Sequence, residues 1–141
     1  MITQTAEYAL RAIVLLADKE EVISRLDIAE VTQVPSDYLT KVLQELVRAG
    51  IVNGQRGRGG GYSLVRSPEQ LSVYDVVAVI APLRRIETCP LGLSEHHKLC
   101  PLHKRLDEAA AQVEQALKQT TIAELIAKKQ LQANCRFPNH L

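Results

Sequence analysis

The sequence predicts a mainly α-helical fold carrying one small β-hairpin, and three observations lead there. Apolar residues recur at three- and four-residue steps in several stretches, two strand-like runs flank a glycine-rich connection, and a heptad-like apolar seam runs late in the chain. A helix, a tight stop and an arginine-tipped hairpin in that order form the plan of a winged helix-turn-helix, here followed by a long dimerisation helix. The expected organisation is a winged helix-turn-helix DNA-binding domain over residues 1–80 and a loop rich in cysteine and histidine over 81–101. The dimerisation helix and a short last helix follow over 102–130, then a disordered tail over 131–141.

In chain order, Ala6, Ala9, Leu10, Ile13, Leu16 and Ala17 mark the buried face of a first helix, roughly Thr3 to Asp18. Ser24-Arg25-Leu26-Asp27 has the pattern of a capping box, with Asp in place of Glu, opening a second helix that carries Ile28, Ala29 and Val31. Val34-Pro35-Ser36 supplies a turn and a third helix start, whose apolar face is Leu39, Val42, Leu43, Leu46 and Val47. Gly50 ends that helix, because the stop requires a left-handed residue and glycine has no Cβ to clash there. The second and third helices are thus the two arms of a helix-turn-helix.

Ile51-Val52-Asn53 and Tyr62-Ser63-Leu64-Val65 read as strands of the wing, joined by the connection from Gly54 to Gly61. Ser72 and Asp75 cap a fourth helix bearing Val73, Val76, Val77 and Ile80. Periodicity then disappears until Pro101. Beyond it Leu102, Leu106, Ala109, Val113, Ala116 and Thr120 form the seam, long enough to pair with a second copy. Thr121 to Glu124 opens the last helix.

The net charge of +1 excludes a globally basic nucleic-acid binder, so affinity for DNA must come from local clustering. Between Val34 and Arg66, Lys41, Arg48, Arg56, Arg58 and Arg66 face only Asp37 and Glu45. In the reading helix the positions that reach base edges are Ser36, Asp37, Tyr38, Thr40 and Lys41, with Gln44 further along. Arg48, Arg56, Arg58 and Gly59 are expected along the phosphate backbone or minor groove. Asp37 could accept from cytosine, but a carboxylate beside phosphates is more often a cap near the helix N-terminus.

The apolar run near Met1 is broken by Glu7, Arg11 and Asp18, which excludes a signal peptide or membrane span. Three cysteines and no secretion signal point to a reducing cytoplasm. Cys89-Pro90 and Cys100-Pro101-Leu102-His103 offer thiolates and imidazole, ligands suited to zinc or iron–sulfur clusters, though two plain thiols fit the spacing as well. Thiol and histidine together imitate a nucleophilic site, but no catalytic scaffold surrounds them, so the chain is not expected to be an enzyme.

These motifs together resemble the Rrf-two family of bacterial winged-helix regulators, which includes iron–sulfur, nitric-oxide and redox sensors. The resemblance is carried by Glu7-Tyr8-Ala9-Leu10-Arg11-Ala12, Tyr38-Leu39, Lys41-Val42-Leu43 and Leu46, and Ala49-Gly50-Ile51-Val52. Arg56-Gly57, Gly59-Gly60-Gly61-Tyr62, Asp75-Val76-Val77 and Cys100-Pro101-Leu102-His103 complete it. It implies a homodimer on double-stranded DNA, reading a near-palindromic operator with half-sites about one helical turn, or a multiple of it, apart.

It also implies an iron–sulfur cluster in the loop before the long helix, with an acidic residue from the partner's first helix completing the coordination, the place of Glu7. Many members carry three cysteines in this loop, whereas Ser94, Glu95, His96 and His97 stand near the position of the middle one here. The redox-sensing branch, with a 2Fe–2S cluster, takes a histidine from the first helix, where this chain has Arg11. The implied ligands are then Glu7, Cys89, Cys100 and His103, with His96 and His97 as alternatives to the last. That mixed set favours 2Fe–2S over 4Fe–4S and a raised potential suited to redox sensing. Some relatives bind no cluster, and a clusterless or zinc-bound regulator is the alternative.

Overall fold

The computed structural model of the chain describes residues 1–95 and 97–129. Six helices and one hairpin follow in the order α1 (Gln4–Lys19), α2 (Arg25–Thr32), α3 (Ser36–Arg48), β1 (Val52–Gln55), β2 (Gly61–Leu64), α4 (Val73–Ile80), α5 (Pro101–Gln119) and α6 (Ile122–Lys129). The expected fold class, mainly α with a hairpin wing, is the one observed. Residues 131–141, with the expected disordered tail and Cys135, lie outside the described residues, as does His96.

α1 is the central rod of the core. Thr3 caps it by accepting a hydrogen bond from the Ala6 amide. Tyr8, Ala12 and Leu15 are buried beside Ala6, Ala9, Ile13, Leu16 and Ala17, while Leu10 is only half-buried. The apolar stripe therefore understates the burial: α1 touches α2, α3, α4, α6 and β2, which leaves it little solvent face. Ser24 caps α2 by accepting from the Asp27 amide, and the reciprocal Ser72–Asp75 box opens α4. Between α2 and α3 the chain turns through Gln33 at φ 57°, a left-handed position held by a residue other than glycine.

α3 buries Leu39, Val42, Leu43 and Leu46 against α1 and α4. Val47, expected on that face, is 38% exposed. It sits at the edge of the stripe, where the helix turns its last residues toward the wing; a Cβ built on Gly54 would lie 3.8 Å from its side chain. Gly50 takes the left-handed conformation (φ 72°) expected of the stop.

The wing differs in extent from its sequence reading. β1 and β2 run further into the glycine connection, pairing Val52 with Leu64 and Gln55 with Gly61, so the loop is only Arg56–Gly60. Ile51 and Val65 fall just outside the strands, although the Val65 amide still donates to the Ile51 carbonyl. A third strand-like contact comes from the α1–α2 connection, where Ile23 and Tyr62 exchange both backbone hydrogen bonds at 2.8 and 2.9 Å. That contact explains Gly61: a Cβ there would lie 2.3 Å from the Ile23 carbonyl oxygen. The wing is thus docked on the body, and only its tip projects.

The seam helix α5 buries no residue fully. Leu117 packs on the core, whereas Leu102 (63%) and Leu106 (50%) are exposed. α6 returns the chain to the body: the Ile122 amide donates to the Leu71 carbonyl, and the Ile122 side chain is completely buried.

Candidate DNA-reading face and metal site

The reading positions follow from the burial of α3. Because Leu39, Val42, Leu43 and Leu46 turn inward, Ser36, Asp37, Tyr38, Lys41, Gln44 and Arg48 are left exposed on the opposite face, and Thr40 is half-buried. Three of them have hydrogen-bonding or ionic partners among the described residues. The Ser36 hydroxyl accepts from Arg25, Thr40 donates back to the Ser36 carbonyl at 3.0 Å, and Arg48 pairs with Glu45 at 2.8 Å. Lys41 forms no ion pair among the described residues. Tyr38 stands edge-on to Tyr8 of α1, ring centroids 5.8 Å apart, so its orientation is set by the core and its outer edge remains accessible.

Arg56 and Arg58 are exposed at the wing tip, and neither forms an ion pair with the described residues. Arg66 is different. It reaches Asp75 at 3.5 Å and donates to the Gln70 carbonyl at 2.9 Å, so its charge is engaged within the body. Gly59 has φ +75° and nothing within 4 Å of where a Cβ would be, which leaves the tip backbone open to a large anion. Arg25, absent from the residues inferred from sequence, joins this face through Ser36; its place at the start of α2 carries no periodic signal.

Residues 81–100 form neither helix nor strand where described. Cys100 is the N-cap of α5 with Pro101 in the first turn, and the Lys104 amide donates to the Cys100 carbonyl at 2.9 Å. His103 therefore sits one turn on, and its Nδ1 lies 3.0 Å from Cys100 Sγ. Cys89 is buried at a turn closed by the Gly92 amide on the Cys89 carbonyl, with its sulfur 3.9 Å from the same His103 nitrogen. The ligand atoms of Cys89, Cys100 and His103 all lie within 4.8 Å of one another.

Glu7 does not join this group within the chain. It pairs with Arg11 at 2.7 Å, and Arg11 in turn stacks over the Tyr8 ring at 5.6 Å and donates to the Thr32 carbonyl at 3.2 Å. His97 lies near Cys100 along the wall of a shallow depression, outside the triad. No helix among the described residues is long and apolar enough to cross a membrane.

Residues 2–128 match the family model described as Rrf2, Iron-dependent Transcriptional regulator. The chain belongs to the Rrf2 family. It is 30% identical over 131 residues to the Putative HTH-type transcriptional regulator of Aquifex aeolicus, covering 89% of this chain and 91% of that one, and 30% identical over 135 residues to the HTH-type transcriptional regulator NsrR of Shouchella clausii, covering 89% of this chain and 87% of that one. Among solved structures, CymR (YrzC), the global cysteine regulator of B. subtilis, superposes with a TM-score of 0.76 at 25% identity, covering 91% of this chain and 97% of that one. T. potens IscR shares the fold, with a TM-score of 0.75 at 23% identity over 99% of this chain and 94% of its own. As an Rrf2 regulator, the protein belongs to a class of transcription factors, and its helix-turn-helix and wing are the elements that class uses on DNA.

Proposed function

We propose that this Rrf2 protein is a homodimeric DNA-binding transcriptional regulator whose operator affinity is set by an iron–sulfur cluster, of the 2Fe–2S type. Cys89, Cys100 and His103 would hold it, with the partner subunit's Glu7 as fourth ligand. The observation that carries this reading is the convergence of two sulfurs and one ring nitrogen within 4.8 Å. The donor set fits in kind, two soft thiolates beside one imidazole. Thiolate and imidazole are the ligands such clusters take. When bound, the group supplies a redox- and nitric-oxide-sensitive centre.

The chain's own residues do the rest. Cys100 and His103 are presented by the first turn of α5, so a change in what they bind is felt directly at the helix that carries the exposed seam. Leu102, Leu106, Ala109 and Ala116 are the surface a second copy would cover, and Ala109 and Val113 also line an open cavity of about 720 Å³ beside Met1, Pro82 and Leu83. Pairing through α5 would set the separation of the two α3 helices, and sensing is then a difference in operator affinity between two dimer geometries. The cytoplasm is the compartment that suits this chemistry.

Anaerobic isolation tests it. A coloured protein containing iron and acid-labile sulfide, with operator affinity that changes on oxidation, is expected. Colourless protein without either element after reconstitution refutes the cluster. The tight span of the triad also suits one tetrahedral zinc ion, and elemental analysis of protein from cells separates the two.

A further inference from the structure

The loop that carries Cys89 forms neither helix nor strand where described, yet its thiol meets two ligands that lie eleven and fourteen residues later in sequence on a rigid helix start. Something must hold the strap in place. Immediately upstream, Arg85 forms a bidentate pair with Asp107 of α5, Nε to Oδ1 at 2.7 Å and Nη2 to Oδ2 at 2.8 Å. The Ile86 backbone amide donates to the same Oδ1 at 2.9 Å. Asp107 is one helical turn beyond His103, and Ile86 is three residues before Cys89, a span of at most about 11 Å. The pair therefore staples the strap to α5 one turn below the triad.

Its geometry separates it from an ordinary surface ion pair, which contributes little. Asp107 is only 18% exposed and accepts three hydrogen bonds, one of them from backbone, so it restrains the main chain as well as a side chain. Arg85 is further oriented by Glu114, 3.9 Å away on the next two turns of α5. Glu114 also accepts from Lys118, whose ammonium lies 4.5 Å above the Tyr74 ring of α4.

We propose that Arg85 and Asp107 are positioning residues for the metal site: their clasp brings Cys89 into the ligand set that Cys100 and His103 begin. The inference rests on the metal-site reading above. Cobalt(II) is the probe, added to the full-length protein freed of metal, with the thiolate-to-cobalt charge-transfer absorption reporting how many sulfurs bind. The native chain is expected to show two thiolates per cobalt, and Cys89→Ser one. Asp107→Ala should resemble Cys89→Ser, with affinity for cobalt reduced about tenfold or more, while its helical circular dichroism stays native.

If the native chain shows no thiolate–cobalt band, the metal site itself is wrong and the clasp has no ligand to position. If the native chain binds through two thiolates and Asp107→Ala does too with unchanged affinity, the metal site stands and the clasp is refuted. Should Asp107→Ala lose helical signal, Arg85→Lys takes its place: it keeps the charge but loses the two-pronged geometry. A folded Arg85→Lys chain is then expected to bind cobalt more weakly with a reduced charge-transfer band, and native behaviour in that variant refutes the proposal.

Discussion

Replacing Arg56 and Arg58 together by alanine tests how the wing works. Both side chains project from the loop between β1 and β2 and neither is neutralised by an acid among the described residues, so each is available to a phosphate or a narrow minor groove. Each cation that displaces condensed counterions contributes about 0.9 to the slope of log affinity against log salt, so the four arginines of the proposed dimer account for about 3.6. Raising salt fourfold should therefore cost the double variant roughly a hundredfold less affinity than it costs the native protein. The assay is fluorescence anisotropy on a duplex selected from random sequence, titrated across salt concentrations. Arg66→Ala is the control, since Arg66 is tied to Asp75 and Gln70 and should leave the slope alone. A slope unchanged in the Arg56/Arg58 variant would refute the role of the wing.

Other expectations follow from the same geometry. The Arg85 guanidinium and then the Ile86 amide hold the Asp107 carboxyl down from 3.8 to about 2. A depressed carboxylate stabilises the fold above its ordinary value and loses that contribution as pH falls toward 2, so the melting difference between native and Asp107→Asn protein should be constant above about pH 5 and shrink below pH 4. Gly61→Ala forces a methyl against the Ile23 carbonyl and should destabilise by about 1–3 kcal/mol, whereas Gly59→Ala, with open space around it, meets only backbone strain of about 1–2 kcal/mol; chemical denaturation ranks the two. Leu102→Ala with Leu106→Ala removes four leucines from the proposed paired seam, at roughly 1.5 kcal/mol or more each, and should weaken self-association over a thousandfold in analytical ultracentrifugation.

Much of this molecule is readable before folding because its signals are local. The caps at Ser24 and Ser72 and the stop at Gly50 are interactions between residues a few positions apart, and each is found where the residue types place it. The exposure of Ser36, Asp37, Tyr38, Lys41, Gln44 and Arg48 follows equally from the three- and four-residue recurrence of their apolar neighbours. Strand ends were less legible. Gly54 and Gly61 read as turn residues, yet both lie in the ladder, Gly61 because Ile23 approaches from outside the hairpin.

By itself, then, the amino-acid order determined the helices, the caps at Ser24 and Ser72, the arginine-tipped wing and the pair of cysteines flanking an irregular loop, since all of these depend on neighbours along the chain. The tertiary structure decided the rest. It buried α1 on nearly every side, engaged Arg66 in the body while leaving Arg56 and Arg58 outside, brought Cys89 beside Cys100 and His103, and joined Arg85 to Asp107, 22 residues apart. Contacts of that range depend on the path of the backbone between them, and no periodicity or cap records that path.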